Sequence, residues 1–249
     1  MDIVVLVPTY NERDNVAAII PAVLAHDGFR VLVIDDGSPD GTGEVAEALA
    51  TQYPGRVQVL HRRAKAGLGR AYVAGMRHAL AQAPDLICQM DADGSHDPAD
   101  LPRLAAAALD GADLVLGSRY VPGGALVNWP WHRKALSAAA NAYIRITVGL
   151  PVHDCTAGFR CWKPAMLERI VIDTLQTNGY AFQVETLART IACGGRVVEV
   201  PIVFTERRQG RSKMSGRVIL ESALFPWRLR TRAGHPPEPL SCATGRELP

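Results

Sequence analysis

Short apolar runs alternate with amphipathic segments over the first 120 residues of the chain. The runs are rich in β-branched residues and predict strands at 3–7, 31–34, 57–60, 85–89 and 113–116. Between them, apolar positions at helical spacing predict helices at 15–24, 44–50, 70–81 and 101–109. Apolar strands separated by helices are typical of an α/β fold with a doubly wound, mostly parallel sheet.

The pattern weakens after residue 120. Helices are predicted at 134–148 and 180–192, and residues 154–162 are predicted to be loop or short strand. Residues 196–204 are apolar enough for a late strand that returns to the sheet. Residues 217–232 predict an amphipathic helix with several arginines, and the Pro-rich stretch 234–249 is typical of a disordered tail.

Two carboxylates follow the fourth predicted strand. Asp91 and Asp93 come directly after it, and Pro98 then begins a helix that Asp97 is placed to cap. In open α/β sheets the carboxyl ends of the strands form the ligand-binding edge. Residues i and i+2 of an extended segment point the same way, so both carboxylates can converge and then need a cation such as Mg²⁺ or Mn²⁺. The plainer alternative is an acidic loop with a helix cap.

The usual glycine-rich nucleotide motifs are missing from the predicted strand ends. The turn after the first strand is Pro-Thr-Tyr-Asn-Glu, which lacks the glycines of a dinucleotide-binding turn. Gly67 and Gly69 lack the third glycine at the required spacing and predict only a turn that enters a helix. A diphosphate here would be neutralised by a metal ion on Asp91 and Asp93, with basic residues closing over it.

Charge and composition exclude several classes of protein. A net charge of +2 gives no support for a nucleic-acid partner. Since no apolar run reaches about 18 residues, no membrane-spanning helix is expected. Met1 and Asp2 lead straight into the first strand, so no signal peptide is expected.

Six motifs in chain order strongly resemble those of a known family. They occupy residues 8–12, 35–42, 91–96, 117–120, 154–160 and 207–213. The set resembles the inverting family 2 glycosyltransferases of GT-A fold, and within them the polyprenyl-phosphate (dolichyl-phosphate) mannosyltransferases, over roughly residues 1–225. The resemblance implies transfer of mannose from GDP-mannose to a polyprenyl phosphate, with a divalent metal, Mg²⁺ or Mn²⁺. It also implies a peripheral location on the cytoplasmic face of a membrane, with a small membrane subunit as a further candidate partner.

The resemblance also implies the roles of individual residues. Those expected to bind the nucleotide sugar are Pro8, Tyr10, Glu12, Ile34, Asp36, Asp91, Ala92, Asp93, Ser95, Arg119, Arg207 and Lys213. Asp91, Asp93 and Ser95 are expected at the metal, and Asp91, Asp93, Arg119 and Arg133 at the reacting groups. Glu185 is a further candidate partner for a sugar hydroxyl. Gly94 and Cys155 depart from the family pattern, where Leu and Pro are more usual.

The resemblance implies a single GT-A domain at 1–233, made of three parts. These are a nucleotide-sugar half at 1–120, an acceptor half with a lid at 121–215, and a candidate interfacial helix at 216–233, followed by the tail at 234–249. Gly210 and Gly216 flank a basic segment that suits a closing lid, although a solvated basic face has the same composition. The helix could lie on a membrane surface or pack back on the domain.

Three other functions compete with mannosyl transfer. A family 2 enzyme could use another donor, such as UDP-glucose, on the same acceptor. A sugar-phosphate nucleotidylyltransferase has a similar sheet but needs a glycine-rich loop after the first strand, which is absent here. A non-catalytic lipid-binding module would not need Asp91, Asp93 and the cations together.

Overall fold

The computed structural model of the protein is a three-layer arrangement of helices on both faces of a central sheet. The structure describes residues 1–175, 177, 179–206 and 226–227. The strands are β1 (Ile3–Thr9), β2 (Phe29–Asp35), β3 (Val57–His61), β4 (Leu86–Gln89), β5 (Leu114–Ser118), β6 (Ala125–Val127), β7 (Arg160–Trp162), β8 (Val197–Pro201) and β9 (Val203–Thr205). The α-helices are α1 (Arg13–Leu24), α2 (Thr42–Gln52), α3 (Leu68–Leu80), α4 (Leu101–Leu109), α5 (Trp131–Val148), α6 (Pro164–Arg169) and α7 (Gly179–Ala192).

The main sheet has seven strands in the order β3-β2-β1-β4-β7-β5-β8. All neighbouring pairs are parallel except those of β7, which runs antiparallel to both β4 and β5. A second sheet consists of the parallel pair β6 and β9. The doubly wound, mostly parallel α/β sheet predicted from the apolar pattern is therefore confirmed.

Strand side chains alternate between two hydrophobic cores, one on each face of the sheet. In β1, Val4 and Leu6 join one core while Val5 and Val7 join the other. Every one of these side chains is buried, because helices cover both faces. This double coverage explains why the strands are continuous apolar runs rather than alternating polar and apolar positions.

The chain after residue 150 contributes strands that the apolar pattern described less well. Residues 154–162, predicted to be loop or short strand, supply β7, which lies in the middle of the sheet. The late strand predicted at 196–204 is divided in two by Ile202, which separates β8 from β9. The backbone of Ile202 is bound on both sides, donating to the carbonyl of Ser118 (3.0 Å) and accepting from the amide of Ala125 (3.0 Å).

The six helices predicted between residues 15 and 192 agree with the structure to within about three residues at their ends. Pro98 begins a short 3₁₀ turn that continues into α4, and the Asp97 carboxylate accepts the backbone amide of Ala99 at 2.9 Å. The capping role predicted for Asp97 is therefore confirmed. In the described part of the chain, no helix combines the length and the hydropathy needed to cross a bilayer.

A close contact between α3 and β2 provides a test of this packing. A Cβ atom on Gly75 of α3 would lie 2.3 Å from Cδ1 of the fully buried Ile34. We expect Gly75→Ala to lower the free energy of unfolding, because overpacking costs ~1–3 kcal/mol and the gain in helix propensity is only ~0.5–1 kcal/mol. Urea denaturation monitored by circular dichroism would measure the change.

The matched background is Ile34→Val, which removes the Cδ1 atom that the new methyl group would meet. In that background Gly75→Ala should be neutral or stabilising, so the two substitutions should couple by ~1 kcal/mol or more. Simple additivity of the two changes would contradict the assigned contact.

Candidate active site

A cavity of about 410 Å³ opens along the carboxyl ends of the main-sheet strands. Its wall follows the strand order: residues after β1 and β2 lie at one end, residues after β4 in the middle, and residues after β5 with the start of α5 at the other. The wall therefore gathers segments that are far apart in sequence, as expected for the ligand-binding edge of an α/β sheet.

The β1–β2 end of the cavity is held together by bonds between the first two motifs. The amide of Asn11 donates to the Ser38 hydroxyl (3.0 Å), and the amide of Glu12 donates to the Thr42 hydroxyl (3.0 Å). Tyr10 lines the wall, and the ammonium of Lys65 lies 4.4 Å from the centre of its ring. The aromatic ring and the amine form a surface suited to a flat, anionic ligand such as a nucleotide.

Asp36 lies at the same end, where it forms an ion pair with Arg62. Burial raises the pKa of this carboxyl group, and the nearby Arg62 charge opposes that change only in part. Asp36 therefore supplies the wall with a carboxylate that can accept hydrogen bonds, and Arg62 offsets the charge of that carboxylate.

Asp91 and Asp93 form the acidic centre of the cavity. Both line the wall just after β4, at the carboxyl edge of the sheet where the sequence predicted them. The hydroxyl of Tyr72 donates to Asp91 Oδ1 (3.4 Å), and the amide of Ser95 donates to Asp93 Oδ1 (3.1 Å). Burial, followed by the Asp91 charge, raises the pKa of Tyr72 well above its ordinary value, so Tyr72 remains a hydroxyl donor at neutral pH.

His96 supports the acidic centre from the side. Its ring stacks on Phe159 with 4.8 Å between centroids, and its Nδ1 accepts the backbone amide of Asp91 at 3.2 Å. Burial lowers the pKa of His96 even though Asp91 and Asp93 pull it upward. A neutral imidazole that accepts at Nδ1 carries its proton on Nε2. His96 therefore fixes the Asp91 backbone without adding a positive charge.

The donor set at this centre fits a divalent ion of the Mg²⁺ type. Two carboxylates at the wall of a roomy cavity supply hard oxygen ligands, and Mg²⁺ is commonly bound by one or two carboxylates together with substrate phosphates. Within the described ranges, no three side chains of His, Cys, Asp or Glu group closely enough to hold a metal alone. The residues present suit an ion that shares its coordination with a phosphate ligand.

Arg119 dominates the β5 end of the cavity. Its guanidinium forms a two-pronged ion pair with Asp154, from Nε to Oδ2 (2.7 Å) and from Nη2 to Oδ1 (2.6 Å). Nη2 also donates to the Thr156 hydroxyl at 2.7 Å. Both partners of the ion pair are buried, so the arginine is fixed in a single orientation at the wall.

Arg133 lies in the first turn of α5 and also lines this end. Its guanidinium lies 3.9 Å from the ring centroid of Trp129 and pairs with Glu206 at 2.7 Å. Both charged groups of this pair are more than a third exposed, so the pair is weaker than that of Arg119. The β5 end of the cavity therefore contains one arginine held in a buried ion pair, Arg119, and one in a partly exposed ion pair, Arg133.

The loop between α5 and β7 completes the wall with Thr156, Ala157 and Gly158. Its backbone is attached to α5, because the amide of Cys155 donates to Asn141 Oδ1 at 2.9 Å. A proline at position 155, the more usual residue of the family pattern, has no amide for this bond. At the other departure, Gly94 has φ +73°, a conformation that suits glycine.

Beneath this loop, Arg160 of β7 is fully buried and donates to neutral groups. Its partners are the carbonyls of Ala157 (2.7 Å) and Gln183 (3.0 Å) and the hydroxyl of Thr186 (2.9 Å). Burial lowers the pKa of Arg160 to about 9. The group remains cationic at neutral pH, and it lies close enough to Tyr72 to influence that hydroxyl.

Most of the predicted site residues line the cavity. The wall includes Pro8, Tyr10, Glu12, Asp36, Asp91, Ala92, Asp93, Arg119 and Arg133. Arg207 and Lys213, with the rest of the predicted lid, lie outside the described residues, as does the tail at 234–249. Of the predicted helix at 217–232, only Pro226 and Trp227 are described.

Three predicted residues differ in position from the expectation. Ile34 points to the core face of β2 and packs on α3 instead of lining the nucleoside pocket. Ser95 lies behind the wall, because the turn after Asp93 directs its backbone carbonyl to the amide of Thr205 (3.2 Å). The Ser95 hydroxyl is buried and has no hydrogen-bond partner among the described residues.

The third is Glu185, which is absent from the described cavity wall. Its carboxylate is bound by Arg189 (2.6 Å), one helical turn away, and by the Thr177 hydroxyl (2.5 Å). Gln183, two residues earlier on α7, lines the cavity instead, and its Oε1 is buried without a hydrogen-bond partner among the described residues. Helical spacing could have indicated this, because residues two apart on a helix face different sides.

Several wall residues were missed by sequence reasoning. They are Lys65, Leu68, Trp129, Gln183 and Phe204, together with the supporting His96. Lys65 carries a sequence signal, since it stands beside Gly67 at the start of a helix on the ligand edge of the sheet. Trp129 and Phe204 carry none, because their approach depends on the pairing of β6 with β9.

A family model described as "Glycosyl transferase family 2" matches residues 4–175, which include β1 to β7 and most of the cavity wall. The chain belongs to glycosyl transferase family 2. This family 2 glycosyltransferase is 50% identical over 232 residues to the polyprenol monophosphomannose synthase of Mycolicibacterium smegmatis, covering 92% of this chain and 87% of that one. It is 47% identical over 228 residues to the undecaprenyl-phosphate mannosyltransferase of Micrococcus luteus, covering 90% and 92%.

Solved structures resemble the glycosyltransferase in fold. The glucosyl-3-phosphoglycerate synthase of Mycobacterium tuberculosis, in complex with Mn²⁺, UDP and glucosyl-3-phosphoglycerate, matches with a TM-score of 0.67 and 21% identity. The match covers 95% of this chain and 81% of that one. The same enzyme with Mg²⁺ and UDP also gives a TM-score of 0.67. The predicted GT-A fold is therefore confirmed.

The buried ion pair at the β5 end leads to a stability prediction. Asp154→Asn should lower the free energy of unfolding by ~3–5 kcal/mol, because it leaves the Arg119 guanidinium buried without its counter-charge. Thermal or urea unfolding would measure the loss.

The control is Asp173→Asn, which breaks the ion pair with Arg77 where both side chains are more than half exposed. Its expected cost is below ~1 kcal/mol. Equal costs for the two variants would show that the Arg119 pair contributes no more than a surface pair.

Proposed function

We propose that this glycosyltransferase transfers mannose from GDP-mannose to a polyprenyl monophosphate with inversion at the anomeric carbon. The names of the relatives at 47–50% identity support a mannosyl group and a polyprenyl phosphate. We further propose that it works at the cytoplasmic face of a membrane as a peripheral protein, and that a small membrane subunit is a candidate partner.

The arrangement of charge along the cavity carries the proposal. The aromatic and amine groups of Tyr10 and Lys65 lie at the β1–β2 end, the carboxylates of Asp91 and Asp93 in the middle, and Arg119 with Arg133 at the β5 end. This order accommodates a nucleoside, then a diphosphate that shares a cation with the carboxylates, then a separate anionic acceptor. An acceptor that carries a phosphate explains two arginines beyond the acidic centre.

The acceptor phosphate can attack without a strong general base. A phosphate monoester has a second pKa of about 6, so it is largely dianionic at neutral pH. The neutral state of His96 and its bond to the Asp91 amide suit a positioning role rather than proton removal. The work of the protein is then to hold the phosphate oxygen in line with the anomeric carbon.

Arg119 and Arg133 would divide this work. Arg119 is rigid, because Asp154 and Thr156 fix its guanidinium, so it defines where the phosphate lies. Arg133 is half-exposed and paired with Glu206, so it can exchange that partner for the incoming phosphate. The buried Gln183 carbonyl oxygen is the side-chain group at the wall best suited to accept a sugar hydroxyl.

A divalent ion bound by Asp91 and Asp93 would supply electrostatic stabilisation of the departing nucleoside diphosphate. The same carboxylates repel an anionic ligand when no cation is present. Nucleotide binding should therefore depend on the divalent ion, whatever the sugar of the donor.

Transfer from a panel of donors tests the proposed reaction. With polyprenyl phosphate and Mg²⁺, the protein should form a lipid-linked sugar from GDP-mannose at least ~10-fold faster than from UDP-glucose, measured with radiolabelled donors. A preference for UDP-glucose would favour the second candidate, a family 2 transferase with another donor. No product from any donor would contradict transfer to this acceptor.

The acidic centre gives a separate prediction. Asp93→Asn keeps the shape of the side chain but removes its charge, so kcat/KM should fall at least ~100-fold, or ~2.7 kcal/mol. Mn²⁺ binding in the presence of nucleotide, followed by electron paramagnetic resonance, should weaken in parallel.

The matched control is Asp97→Asn. Asp97 directly follows the same motif but is exposed, caps the following 3₁₀ turn and is absent from the described cavity wall. We expect it to bind Mn²⁺ like the wild type. Unchanged Mn²⁺ affinity in a folded Asp93→Asn protein would show that Asp93 is not a ligand.

A further inference from the structure

Helix α5 has its apolar and polar faces reversed relative to an ordinary surface helix. Its inward-facing positions include the polar residues Ser137, Asn141 and Thr147, with Ile144 among them. Its outward-facing positions include Trp131, Leu136 and Ile146, which are 80%, 70% and 80% exposed. A helix that packed on a hydrophobic core alone would show the opposite pattern.

The inward face of α5 is polar because its side chains form hydrogen bonds with neighbouring segments. The Tyr120 and Ser137 hydroxyls are 2.7 Å apart, and the Asn141 amide binds Thr156 (3.3 Å) and the backbone of Cys155 (2.9 Å). These bonds attach α5 to the loop that completes the cavity wall. They give no reason for the large apolar side chains on the opposite face.

The outward face is a continuous apolar surface, which we call the α5 apolar face. At about 100° per residue its members fall within roughly 140° of the helix circumference. They are Trp131, Ala135, Leu136, Ala139, Ala142 and Ile146. Contiguous exposed apolar surface of this kind marks an interaction site rather than ordinary surface variation.

The charged side chains of α5 itself have one sign. Lys134 and Arg145 lie along one margin and His132 lies within it, while the 18 residues of Trp131–Val148 include no Asp or Glu. An apolar helical face that starts with tryptophan and is bordered by basic residues suits the boundary between anionic headgroups and acyl chains.

The α5 apolar face starts beside the arginine end of the cavity. Trp129 and Arg133 both line the cavity, and Trp131 lies between them in sequence and is exposed to solvent. Under the proposed function, the acceptor carries its phosphate on a polyprenyl chain that stays in a bilayer. A surface that contacts the bilayer must therefore lie close to the arginines that hold the phosphate.

We propose that the α5 apolar face is the surface by which the protein lies on an anionic lipid bilayer, with the arginine end of the cavity facing the lipid. This inference adopts the acceptor chemistry of the proposed function. Binding to vesicles, however, requires neither donor nor turnover, so the two can fail separately.

The test compares Leu136→Ser/Ile146→Ser with the wild type in sedimentation with vesicles of phosphatidylglycerol and phosphatidylcholine. Both side chains are largely exposed and absent from the described cavity wall, so the fold should persist. The vesicle partition coefficient should fall at least ~10-fold, since each lost side chain removes apolar burial in lipid. Wild-type binding should weaken with salt and on phosphatidylcholine alone.

The control is Leu109→Ser. Leu109 is 52% exposed and is the last residue of α4. Because α4 leads into the start of β5, Leu109 lies near the amino ends of the strands, away from the cavity. It should bind vesicles like the wild type. In turnover assays, the double variant should lose rate on a long-chain prenyl phosphate in vesicles and keep it on a short, water-soluble prenyl phosphate.

Three results would overturn the proposal. The first is unchanged vesicle binding by the folded double variant. The second is a wild-type dimer in analytical ultracentrifugation that the double variant loses while vesicle binding persists, which would make the face an interface between two copies. The third is protection of Trp131 and Leu136 from hydroxyl-radical labelling in a vesicle-free monomer, which would mean that this chain's own residues cover the face.

Discussion

The buried ion pair between Arg119 and Asp154 is the interaction on which the acceptor end of the molecule depends. Two charges removed from water are tolerated only when each finds a close partner and further hydrogen bonds. Here the requirement connects three elements. Arg119 follows β5, the amide of Asp154 donates to Glu199 of β8 (2.9 Å), and Thr156 bonds to both Arg119 and Asn141 of α5. At this point of the cavity wall, displacing Arg119 or Asp154 would leave the other charge buried and unpaired.

The electrostatics of the site separate fixed charges from exchangeable ones. Arg160, buried among neutral acceptors with its pKa lowered to about 9, keeps its positive charge at neutral pH. His96, which binds the Asp91 amide, is held neutral by burial. The half-exposed Arg133 pair can open in response to a ligand. The fixed charges therefore set the electrostatic field of the cavity, and the exposed Arg133 pair can rearrange when a ligand binds.

Much of the fold could be predicted from sequence because covered parallel strands require apolar runs and helices require helical spacing. The position of Asp91 and Asp93 followed from the same rule, since strand ends meet at one edge. Other features depend on contacts between distant residues. The three-residue strand β7 has too few positions to show a period, and the side of β2 that Ile34 occupies depends on where α3 packs. The reversal of α5 could not be seen either, because apolar spacing alone does not reveal which face is inward.

The antiparallel strand β7 has a consequence for how the chain reaches its native state. β4 and β5 are consecutive parallel strands in the chain, yet they are not hydrogen-bonded to each other, because β7 lies between them. During synthesis, strands β1 to β4 can pair as they emerge. Strand β5 has no neighbouring strand until β7 (Arg160–Trp162) has been synthesised. The two halves of the sheet are therefore joined by a late, long-range contact, the kind of closure that slows folding. A fragment ending near residue 120 would contain every acidic residue of the described cavity wall and still present an unfinished sheet edge.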